Sequence, residues 1–139
     1  MTETPPRKST LLRPVPVRDF PGQRWVRISV RTWHLAAMGF LLGGTALGLS
    51  PAEQPAAVWH TFASGAVFST LELYHSGIWL YQLKGWAVMA KFILLGGWVL
   101  SAGHGLAWLL AALIIGGISS HMPGRYRYYC PWYGRVVKE

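Results

Sequence analysis

The stretch Gly85-Trp86-Ala87-Val88-Met89-Ala90-Lys91-Phe92-Ile93-Leu94-Leu95-Gly96-Gly97-Trp98-Val99-Leu100-Ser101 decides how this chain is read, because one charge, Lys91, sits among otherwise apolar or small residues. At ~1.5 Å of rise per residue, a helix of that length covers most of the ~30 Å hydrocarbon layer of a bilayer. Working outward, runs of similar character lie at residues 33–49, 56–74 and 104–120. Joining the last two into one helix would demand about 35 residues, more than a bilayer accommodates. The expected fold is therefore all-α, an integral membrane four-helix bundle over residues 31–122. A Pro-rich basic arm (1–30) precedes it and a basic aromatic tail (123–139) follows.

Composition points the same way. Hydrophobic residues make up 52% of the 139 and charged residues 13%, where soluble domains carry about 25% charge. The net charge of +8 is concentrated at the ends: seven basic residues lie between Arg7 and Arg31, and four more follow Pro123. Such a charge can mark a nucleic-acid binder, but the middle offers no polar groove for a phosphate backbone, so no nucleic-acid partner is expected. The basic flanks suit anionic lipid headgroups instead.

The boundaries follow from local chemistry. Pro5, Pro6, Pro14, Pro16 and Pro21 remove too many amide donors for a regular element in the arm. Trp25 to Arg31 alternates apolar with polar, which leaves an extended lead-in and an interfacial approach both open. Ser50-Pro51-Ala52-Glu53-Gln54-Pro55 is a proline-bounded turn, and the second run ends near His75 or continues toward Gln82. With four crossings, both termini and the turn at Lys84 share one side, and that side collects every basic residue except Lys91. The positive-inside bias then places both ends in the cytoplasm and the chain in the cytoplasmic (inner) membrane.

Five histidines are the most informative polar residues. On these boundaries His34 opens the first helix and His121 ends the fourth, both on the cytoplasmic side. His60 lies about a turn into the second helix from the outer side, and His104 starts the fourth there. His75 falls roughly 22 Å below His60. That sorting, an outer pair His60 and His104 and an inner set His34, His75 and His121, suits one or two b-type haems held by facing imidazoles, with His60 and His104 as axial iron ligands. The competing reading is ordinary: a histidine at a helix end reaches headgroups at little cost, and His60 and His75 can bond to hydroxyls or to Glu72. Glu72 and Lys91 are expected to pair with each other, since each ionised group alone in hydrocarbon is expensive. A proton or quinone role for Glu72 beside His75, and a snorkelling or propionate-binding Lys91, stay open.

Cys130 is the only cysteine, so no disulfide framework or thiolate cluster forms within one copy. No nucleotide loop, zinc-protease motif, nucleophile elbow or catalytic carboxylate pair is present, which leaves hydrolysis and group transfer without support.

Trp33-His34-Leu35 through Leu42-Gly43-Gly44, His60, and Trp86 with Lys91 together resemble small four-helix membrane proteins of the copper-resistance-D-like and b-type-cytochrome-like kind, over residues 31–122. The resemblance implies haem or metal handling at His34, His60, His75 and His104. The expected function is a haem-b-binding membrane subunit, itself a non-catalytic part of an oxidoreductase, passing electrons between the quinone pool and a partner complex. The alternatives are a cofactor-free structural or assembly subunit of a larger membrane complex or homo-oligomer, and a metal or solute transporter.

Overall fold

The computed structural model describes residues 18–101 and 105–137, and the chain there is mostly α-helical. Four long helices follow in order, α1 (Gln23–Ala46), α2 (Pro55–His75), α3 (Leu83–Leu100) and α4 (Leu106–His121). A one-turn helix α5 (Gly124–Arg127) and an antiparallel pair, β1 (Tyr129–Cys130) with β2 (Arg135–Val136), complete the described chain. By length and composition, Leu83–Leu100 is the one helix among the described residues long and apolar enough to cross a membrane, and Leu106–His121 is apolar but shorter.

The first helix starts earlier than the sequence pattern suggests. Trp25 to Arg31 is helical rather than extended, and Gly22, at φ 80°, turns the chain into it. Arg24, Arg27 and Arg31 recur at helical spacing, a signal the local alternation of apolar and polar residues concealed. His34 consequently stands twelfth in a helix of 24 residues, at mid-height instead of at its opening. At the far end Gly48, at φ 90°, closes α1 in a Schellman turn: its N–H bonds Thr45 O at 3.0 Å and the Leu49 N–H bonds Gly44 O at 3.0 Å.

Between α1 and α2, Pro51–Glu53 forms a single 3-10 turn, and Pro55 sits in the first turn of α2, where a missing N–H costs nothing. Glu53 accepts from the Ser50 N–H at 2.8 Å and the Ser50 hydroxyl at 2.7 Å. The buried Gln54 carboxamide donates to Thr45 Oγ1 at 2.9 Å, tying the turn to the top of α1. A second 3-10 segment, Gly77–Tyr81, buries Gly77, Ile78 and Trp79 before α3 begins.

Neighbouring helices run antiparallel, with α1 against α2 and α3 against α4. The apolar core is small and lies toward the Leu47–Gln54 end, where Leu41, Trp98 and Leu109 are fully buried against Met38, Ala57, Val58 and Leu95. At the opposite end Ile78 packs on Cys130 and Val137, and the buried Gln82 carboxamide donates to Val137 O at 2.8 Å. The basic aromatic tail thus forms a short hairpin docked on the α2–α3 connection.

Gly85 is the tightest backbone approach at that connection, since a Cβ there would stand 2.2 Å from Trp79 O, whereas Gly96 faces open space. Gly85→Ala is expected to lose about 1–3 kcal/mol of stability from overpacking, and Gly96→Ala to be neutral or to gain up to about 1 kcal/mol, measured by unfolding in mixed micelles. At the Ser50 turn the N–H and hydroxyl of Ser50 hold the Glu53 carboxyl below the usual carboxylate range. Its contribution is complete above the ordinary carboxylate titration and is lost as pH falls through the depressed value, and a melt-versus-pH series on Glu53→Gln is expected to lack that acid limb.

Candidate functional site

Several polar residues of α1 and α2 meet along the seam between these helices. Arg27 and Arg31 face α2: Arg27 Nε lies 3.6 Å from Glu72, and the Arg31 guanidinium sits 5.1 Å above the Phe68 ring. One level up, the His34 imidazole reaches Ser64, which is fully buried. The small residue Gly65 follows, and a Cβ there would meet His34 Cε1 at 3.4 Å and Phe92 at 3.6 Å, so α1, α2 and α3 converge at this height.

Ser64 decides the chemistry of His34. Its oxygen lies 2.6 Å from His60 O, 3.1 Å from Thr61 O and 2.9 Å from His34 Nδ1. The two carbonyls can only accept, so the one hydroxyl hydrogen points to them and Ser64 accepts from His34. Nδ1 of His34 therefore carries hydrogen, and in the neutral ring the lone pair resides on Nε2. This is the arrangement that orients a metal-binding imidazole, in which the far nitrogen is held as a donor. Lys91 is ninth of the 18 residues of α3, and its side chain lies against Gly116 of α4. Buried Thr61, one turn from Ser64, has a hydroxyl with no hydrogen-bond partner.

Of the remaining histidines, His60 lies about a turn into α2, His75 ends that helix and His121 ends α4, as expected. His60 lies one turn, ~6 Å, from Ser64, so His34, at mid-height of α1, leaves the inner set and comes nearly level with His60. Its exposed ring meets Trp33 edge to face at 6.0 Å. His75 lies eleven residues from Ser64, ~16 Å along the axis. Its Nδ1 contacts Arg18 O at 3.0 Å and Asp19 at 3.1 Å, which fastens the segment before α1 to the end of α2. His121 is exposed at the end of α4, and His104 lies outside the described residues. Among the described residues no group of three or more His, Cys, Asp or Glu side chains is gathered as for a metal ion.

The expected pairing of Glu72 with Lys91 does not form. Glu72 lies between Arg27, at 3.6 Å, and Lys84 Nζ, at 3.8 Å. The reason is register: Lys84, in the first turn of α3, comes level with the end of α2, while Lys91 stands seven residues, ~10 Å, farther along. Arg27 escaped the sequence reading because it was not recognised as helical; its spacing from Arg24 and Arg31 is the signal that could have found it.

No known protein family, curated protein or solved structure matches the chain.

With Ser64→Ala the acceptor for Nδ1–H disappears. Nitrogen-15 spectra of labelled histidine are expected to show one Nδ1–H tautomer for His34 in the wild type and a mixture in the variant. Glu72→Gln leaves Arg27 and Lys84 without their shared anion at partly exposed positions and is expected to cost about 1 kcal/mol, read from the same micelle unfolding curves.

Proposed function

We propose that this chain is a four-span protein of the cytoplasmic membrane that binds one cofactor at mid-membrane height through His34, with haem b as that cofactor, and that it serves as a non-catalytic subunit carrying electrons between the quinone pool and a partner complex. The bilayer part is supported by the exterior. Phe40, Leu47, Ile93, Leu100, Ile114 and Ile118 are all more than half exposed, and only 11% of the Leu83–Leu100 stretch is buried. Water-soluble monomers rarely show contiguous apolar surface on that scale. Helices α1 to α4, of 24, 21, 18 and 16 residues, correspond to ~36, 32, 27 and 24 Å, which brackets a ~30 Å hydrocarbon layer with modest tilt and thinning.

The observation that carries the cofactor reading is the fully buried Ser64 hydroxyl 2.9 Å from His34 Nδ1. An imidazole whose Nδ1–H is bonded inside the protein would have its Nε2 lone pair to offer to iron. The described residues fit one such ligand. They do not fit two stacked haems between facing pairs, because His34 and His60 occupy nearly one height and His75 is engaged with Arg18 and Asp19. Bound there, haem would supply one-electron chemistry. The chain's own contribution is to hold the imidazole by Ser64 and to keep water from it with Phe92 and the helices around Gly65.

A cofactor-free subunit of a larger complex is the second reading, favoured by the exposed Trp132 and Tyr133 of the docked tail beside Arg125 and Arg135. Such a basic aromatic surface suits a protein partner.

Expression with ample haem followed by purification in mild detergent is expected to give a reduced-minus-oxidised b-type spectrum that His34→Ala abolishes while helicity is kept. A colourless wild type would rule out the cofactor. Tags at the two termini are expected to be reached from the cytoplasmic face alone.

A further inference from the structure

Lys91 carries an amine for which the described chain provides no counterion. The three described carboxylates are committed elsewhere: Asp19 to His75, Glu53 to Ser50, and Glu72 to Arg27 and Lys84. Lys91 itself makes no hydrogen bond or ion pair among the described residues. It stands at the middle of α3, ~13 Å from either end, and is partly exposed, so on the membrane-spanning reading its four-carbon stem leaves the amine at hydrocarbon depth. Its side chain runs to α4, where the lack of a side chain at Gly116 admits it; a Cβ there would lie 3.8 Å from Cδ and 3.9 Å from Nζ.

A lysine amine without a counterion among apolar side chains calls for an anion. A carboxylate meets that demand. It is also the anion that can get there, since a carboxylic acid enters hydrocarbon as the neutral acid while a phosphodiester remains ionised at headgroup level. We infer that Lys91, lodged against Gly116, forms a binding site for a carboxylate borne on an apolar body. Two sources share that chemistry: a long-chain carboxylic acid from the bilayer, or a propionate of the cofactor at His34. The inference rests on the membrane-spanning reading and not on haem.

The test uses the full-length protein in neutral detergent, haem-free and haem-loaded, titrated with cis-parinaric acid and with its methyl ester. The haem-free wild type is expected to bind the acid about tenfold or more tightly than the ester, the increment of a charge-assisted bond. Lys91→Gln is expected to erase that preference and Lys91→Arg to retain it. Loss of acid binding on haem loading assigns the site to the propionate; retention assigns it to a free acid. Equal binding of acid and ester by the wild type, no binding of either, or an unchanged preference in a helical Lys91→Gln protein overturns the site. A colourless protein that still prefers the acid removes the haem proposal and leaves this one standing.

Discussion

Polar side chains on these helices have few places to go, and that scarcity organises the molecule. The outward faces of α1, α3 and α4 carry Phe40, Ile93, Ile114 and Ile118, while Arg27, His34, Ser64 and Glu72 meet where α1 faces α2. Ser64 shows the constraint in its smallest form: a fully buried hydroxyl must place its single hydrogen on a backbone carbonyl, and whatever else it touches must then donate to it. His34 inherits its protonation pattern from that necessity, and the proposed chemistry of the seam follows from it.

Charge is apportioned by the same logic. At the end of the helices where α1 begins and α2 finishes, one carboxylate, Glu72, serves two cations, and His75 anchors the segment that leads into α1. At the other end the connection carries the Glu53 carboxylate and is held by a Schellman turn, by Ser50 with Glu53, and by Gln54 reaching back to Thr45. Lys91 lies between these ends and belongs to neither. Its isolation results from α3 presenting two lysines seven residues apart to a single carboxylate, of which only the nearer can use it.

Much of the architecture was legible in the chain itself. The four apolar runs, their proline- and glycine-marked turns and the grouping of basic residues at one end all read directly. Two features were not. The start of α1 was hidden because a local alternation of apolar and polar residues imitates an extended lead-in, while the helical spacing of Arg24, Arg27 and Arg31 spans too few turns to dominate it. Moving that boundary back to Gln23 carries His34 from a helix end to mid-height and takes it out of the inner set of histidines. The hairpin of Tyr129–Cys130 with Arg135–Val136 was hidden because strands of two residues carry no periodicity; Gly134, at φ 58°, is the one local mark of its turn.

What the sequence determined alone is therefore composition-borne: helical segments of these lengths, an apolar exterior and a positively charged end, because hydropathy and charge act residue by residue and need no partner. Which polar groups meet was settled only in three dimensions. Pairings such as His34 with Ser64, or Glu72 with Arg27 and Lys84 in place of Lys91, depend on helix starts and relative register. A shift of one turn, ~5.4 Å, is enough to exchange one partner for another while leaving every hydropathy sum unchanged.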